Sequence, residues 1–137
     1  MIKSVRLGKE VVVTVANKIG VLADMTKILA DGGINIAAVA GYADAGNEAK
    51  IMFVTGDSLR AMDALKKKNY SSAKENEVVV VELEDKAGAL KLVSSKLASA
   101  NIDIKYIYGT TCGCGGAAMI VLCTTDNGKA LISLKGK

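Results

Sequence analysis

The chain has 137 residues, half of them apolar, enough to fill the core of one mid-sized domain or two very small ones, and its 18 basic against 14 acidic residues leave a modest net charge of +4. Histidine is absent, which removes the commonest general base and transition-metal ligand, and three cysteines cannot all pair within one chain, which favours reduced thiols and a cytoplasmic setting. No apolar run is long enough to span a membrane, and no charged-then-apolar leader opens the chain.

In chain order, residues 2–7 are a first strand candidate and residues 11–16, with Val11-Val12-Val13, a second. Val21, Leu22, Met25, Ile28 and Leu29 then recur at helical spacing and put an apolar stripe on a helix. Gly33 stops that helix, because it tolerates the left-handed conformation that commonly ends one. Strands over residues 34–42 and 49–55 follow, joined by the turn chemistry of Asp44-Ala45-Gly46-Asn47. Asp57-Ser58 opens a second helix, which buries Leu59, Met62 and Leu65 and ends at Lys66-Lys67-Lys68, where cations complement the helix dipole. Residues 70–74 supply a further strand.

The same series then recurs: a strand over 78–83, a helix carrying Leu90, Val93 and Leu97, a stop at Asn101, strands over 102–110 and 117–124, and a helix opening at Asp126-Asn127. Lys18 matches Lys86, Gly20 matches Gly88, Leu22 matches Leu90 and Ile34 matches Ile102, always 68 positions apart. After Gly41 and Gly109 the offset is 69, so one residue is inserted within the Gly-rich stretch 109–116. The repeated order βαββα predicts an α+β fold, helices covering one face of an antiparallel sheet.

The expected units are residues 1–75 and 76–137, the second lacking a fourth strand because Lys137 is equivalent to Lys68. Residues 1–8 precede the next strand as residues 69–76 precede theirs, so the extra strand either hairpins with residues 11–16 or crosses over to complete the second copy. Val78-Val79-Val80-Val81, Ile51-Met52-Phe53-Val54 and Met119-Ile120-Val121-Leu122 are apolar on both faces. The helix-free face therefore needs a cover, and a second chain, giving a homodimer, is the simplest one.

Asn17-Lys18-Ile19-Gly20-Val21-Leu22 followed by Gly33-Ile34-Asn35-Ile36 resembles the signature of the ACT domain family, regulatory modules of amino-acid-metabolic enzymes. Asp85-Lys86-Ala87-Gly88-Ala89-Leu90 followed by Asn101-Ile102-Asp103-Ile104 is similar, with Asp in place of Asn. The resemblance spans nearly the whole chain and implies two ferredoxin-like βαββαβ units side by side. It also implies that an amino acid binds between the turn before the first helix of one domain and the neighbouring domain's second strand.

Physical chemistry supports a site at these turns. Unpaired N–H groups from Lys18 to Leu22, at a helix N-terminus, suit a carboxylate, and Gly20 lets a ligand approach the backbone. Asn17 and Asn35 both donate and accept hydrogen bonds, while Asp85 and Asp103 suit an ammonium group. Tyr106 and Tyr108 share one face of a strand and either line a pocket between the copies or pack as half-buried residues. The same Asn and Asp residues also make ordinary turns, which leaves a purely structural or partner-binding scaffold as the alternative.

Other chemistries find less support. Cys112-Gly113-Cys114 is a thiolate pair suited to zinc or copper, but it lies in a hairpin turn with no third or fourth ligand nearby. Nucleic-acid binders of similar topology stack bases on sheet aromatics, and only Phe53 is aromatic among the central strand positions. There is no Cys-His or Ser-His pairing. The expectation is a non-catalytic, cofactor-free sensor of an amino acid that acts through a metabolic enzyme or transporter.

Overall fold

The β-branched runs around Val11 and Val78 draw their neighbours into two long strands, and the remaining elements fall in the order the repeat dictates. These are β1 (Ile2–Ala16), α1 (Val21–Asp31), β2 (Ile36–Ala43), β3 (Glu48–Thr55), α2 (Ser58–Lys67), β4 (Lys74–Glu84), α3 (Ala89–Ser99), β5 (Ile104–Thr111), β6 (Ala117–Thr124) and α4 (Asn127–Lys135). A computed structural model describes residues 1–111 and 116–136; the Cys112 and Cys114 thiolate pair lies outside the described residues. The strands expected at 70–74 and 78–83 are replaced by the single strand β4, because nothing between Lys74 and Val78 breaks an extended backbone. Residues 70–73 form a turn instead, with the Ala73 N–H donating to Tyr70 O at 3.1 Å.

Two units are formed, Lys9–Asn76 and Met1–Gly8 together with Glu77–Lys137. In the first unit β2 pairs antiparallel with β3, and β3 with the second half of β1, setting Val11 opposite Phe53 and Val13 opposite Ile51. The Ser72 hydroxyl donates to Thr14 O at 2.6 Å and accepts from the Thr14 N–H at 3.0 Å, and Asn76 Nδ2 donates to Glu10 Oε2 at 2.9 Å, which lines the last strand antiparallel to β1. Val11, Val13, Ile51 and Phe53 share one core with Met25, Leu29, Ala61 and Leu65 of α1 and α2. Complete burial of a side chain such as Phe53 or Leu29 contributes about 1.5–3 kcal/mol each.

In the second unit β5 pairs with β6 and β6 with β4. The first half of β1 takes the fourth place: the Glu84 N–H donates to Met1 O at 2.8 Å, and the Ser4 hydroxyl donates to Glu82 Oε1 at 2.9 Å. Met1–Gly8 therefore complete the second unit rather than extending the first. Val5 joins Val79, Val81, Leu83, Val93, Leu97, Leu122 and Leu134 in that core. Each unit is thus an α+β, ferredoxin-like βαββαβ assembly.

Local chemistry fixes the element ends. Gly33 and Asn101 stand at φ 69° and 58° where α1 and α3 stop. Asp57 and Asp126 accept from the N–H groups of Arg60 and Lys129 at 3.1 and 3.0 Å and cap α2 and α4. Val12, Met52 and Val54 of the first unit and Val78, Val80, Val121 and Cys123 of the second, on the strand faces turned away from the helices, are buried. No helix among the described residues is long and apolar enough to cross a membrane.

Candidate functional site

The turn from β1 into α1 is built around Gly20, which stands at φ 91° and occupies the N-cap of α1 without any side-chain cap. The Val21 N–H donates to Lys18 O at 3.3 Å and the Asp24 N–H to Gly20 O at 2.9 Å, and no side chain caps the first-turn donors of Leu22 and Ala23 between them, an uncapped helix start. Asn17 is pinned through its backbone, its N–H donating to Asn47 O at 2.9 Å in the turn between β2 and β3. That turn is in turn held by Asp44, whose carboxylate accepts from the N–H groups of Gly46 and Glu48 at 2.9 and 3.2 Å.

These fixed points enclose an open cleft of about 580 Å3 within the first unit. Asn17, Lys18, Gly20, Val21, Leu22 and Ala23 form one wall, and Val39 to Ala43 with Ala49 and Ile51 form the other. Leu22 and Val39 leave apolar surface uncovered there, at 48 and 51 % exposure, whereas Tyr42, opposite Lys50 rather than the core residue Ile51, turns to the other face of the strand. A carbon added to Gly20 would meet nothing within 4 Å, so the approach to this backbone is clear. Lys18 is the one charged residue of the lining.

Of the residues expected at this site, Asn17, Lys18, Gly20, Val21 and Leu22 come together. Ile19 does not line the cleft and is fully exposed at the tip of the turn. Asn35 lies before β2, beyond the strand end that pairs Ile36 with Thr55, and is not in the lining either. The wall from Val39 to Ala43 was not foreseen. Its only sequence signal is a tyrosine, Tyr42, among small residues on an edge strand.

The equivalent turn in the second unit is arranged differently. Gly88 repeats the backbone at φ 90° as the N-cap of α3, and the Ala89 N–H donates to Lys86 O at 3.2 Å. Here, however, Met1 lies over the turn, its Cε 3.7 Å from where a carbon on Gly88 would sit. The Met1 amino group is 2.9 Å from the Glu84 carboxylate, and that hydrogen bond, with Lys86 at 3.5 Å, holds the Glu84 carboxyl below its ordinary pKa. Asp85 accepts from the Thr111 hydroxyl at 2.5 Å.

Ala87 and Leu90 are exposed beside this turn and Ala89 is buried beneath it. Asp103 is exposed, with its carbonyl accepting from the Thr125 N–H at 3.0 Å. Tyr106 stacks on Tyr108 with ring centroids 6.5 Å apart, opposite Cys123 and Val121 rather than the helix-facing Leu122. The tyrosine pair therefore stands on the helix-free face of its sheet, away from α3. Among the described residues no group of three or more Cys, Asp or Glu is placed to hold a metal ion.

A family model for an ACT domain pair matches residues 7–135. Among solved structures, a protein from Bacteroides thetaiotaomicron is similar at 25% identity and TM-score 0.83, with 96% of this chain and 88% of that one covered. The ligand-free regulatory subunit of aspartate kinase from Thermus thermophilus matches at TM-score 0.69 and 13% identity over 98% of this chain and 96% of its own. The aspartokinase alpha and beta subunits match at TM-score 0.63 and 17% identity with the same coverage. These two likenesses speak for the fold. No curated protein matches.

Proposed function

The chain belongs to the ACT domain pair family, and from that premise we propose that it is a non-catalytic regulatory protein that senses a free amino acid through its first unit. The observation that carries this reading is the open cleft at the uncapped start of α1, where first-turn N–H groups, Lys18 and a freely approached glycine turn meet an apolar wall. In this reading a carboxylate is held there by charge-assisted hydrogen bonds and the helix dipole, and the Asn17 side chain supplies an acceptor for an ammonium group.

The second unit serves in this reading as a scaffold. Its turn carries Met1 over Gly88, and its Asp85 carboxylate is engaged by Thr111. In this reading regulation passes to a cytoplasmic enzyme or transporter of amino-acid metabolism.

Thermal-shift screening of the twenty L-amino acids at millimolar concentration tests the reading. A ligand held only by the native state raises the melting temperature by mass action. A rise with one or a few amino acids is expected. If none raises it, the ligand-free scaffold replaces the sensor.

A further inference from the structure

The charge and shape of the first unit's cleft bear on which amino acid it accepts. Its lining holds one cation, Lys18, and no acidic residue. An α-carboxylate directed at Lys18 and the N–H groups of Leu22 and Ala23 uses up the positive field. A second carboxylate on the ligand would then find no further cation, and a basic side chain would find no counter-ion; either loses hydration without compensation. Val39 stands on the facing wall and the Leu22 side chain beside the donors, both about half exposed, and they present aliphatic surface to whatever extends from the α-carbon.

The second unit lacks this combination. Asp85 replaces Asn17 and would repel an α-carboxylate. Resting on the sensor reading above, we infer that the cleft selects an L-amino acid with an aliphatic side chain and takes one molecule per chain. Val39 is the residue that sets the preference, since it faces the cleft from an edge strand and is half exposed, so a polar replacement there perturbs no core.

The test is isothermal titration calorimetry on the full chain with L-valine, L-leucine and L-isoleucine against L-lysine, L-arginine, L-aspartate and L-glutamate. The aliphatic ligands are expected to bind at one per chain, about tenfold or more tighter than the charged ones. Val39→Asp should weaken aliphatic binding about tenfold and improve binding of L-lysine. Val39→Ser, which adds no charge, should weaken it less. Ile107→Asp, at the corresponding place in the second unit, should leave binding unchanged.

Tighter binding of a charged amino acid, two molecules per chain, or equal losses in Val39→Asp and Ile107→Asp would overturn the inference while leaving the sensor reading intact. No binding heat with any of these seven, together with no thermal shift with any of the twenty, would remove both.

Discussion

Tyr70 donates its phenolic hydrogen to the Asp24 carboxylate at 2.5 Å, tying the turn after α2 to the first turn of α1. The positions related to these by the repeat, Ile2 and Leu92, are both apolar, so the two units close the same corner by different chemistry. Burial, then the hydrogen bond to Asp24, raises the Tyr70 pKa to about 12. A phenol that ionises less readily in the folded chain stabilises it fully below the unfolded value near 10. That contribution is lost as pH rises through about 12. Urea unfolding should therefore show stability falling between about pH 10 and pH 12, and Tyr70→Phe should flatten that decline while lowering stability at pH 8.

Gly20 and Gly88 share the left-handed backbone, but only Gly20 borders the open cleft. Alanine at either position should cost about 1 kcal/mol or more, because φ near 90° is strained for any residue with a Cβ. Gly20→Ala should in addition weaken amino-acid binding, whereas Gly88→Ala should leave it unchanged. Denaturant melts together with calorimetry separate the two effects.

Gly109 and Gly41 occupy matching places on the two edge strands, yet their surroundings differ. A Cβ on Gly109 would overlap Ile120 Cδ1 and lie 2.8 Å from Met119 O, whereas one on Gly41 would lie 3.4 Å from the nearest atom, Ile51 Cγ1. Gly109→Ala should destabilise by roughly 1–3 kcal/mol through overpacking against backbone, and Gly41→Ala by less. Melting temperatures of the two variants give the comparison.

The caps Asp57 and Asp126 each hold one N–H in a different unit. Asp57→Ala and Asp126→Ala should each cost about 1 kcal/mol, and the double variant should cost close to the sum because the sites share no partner. A double-mutant cycle from urea unfolding reads this directly.

Much of the fold was legible because the periodicities were strong and repeated. The match of Lys18-Ile19-Gly20 to Lys86-Ala87-Gly88 located both helix starts, and Gly33 and Asn101 located both helix stops. The course of β1 was not legible, since residues 2–7 extend equally well in a hairpin or a crossover. Only the pairing of Met1 with Glu84 and Ser4 with Glu82 decides between them, and that information is long-range.

The candidate site was half legible. A glycine turn before a helix has a local signature, which found Asn17 to Leu22. The facing wall, Val39 to Ala43, is ordinary edge-strand sequence whose role depends on register with β3. Asn35 followed the motif in sequence, but it sits at the far end of β2 from that wall.

The most direct test of the central claim is residue-resolved. In a titration of the isotopically labelled chain with L-leucine, followed by amide NMR, the resonances of Leu22, Ala23 and Val39 to Ala43 should shift saturably. Those of Ala89 to Lys91 should stay in place. Shifts centred on Gly88 to Lys91, or no saturable shift with any of the twenty amino acids at millimolar concentration, would contradict the account.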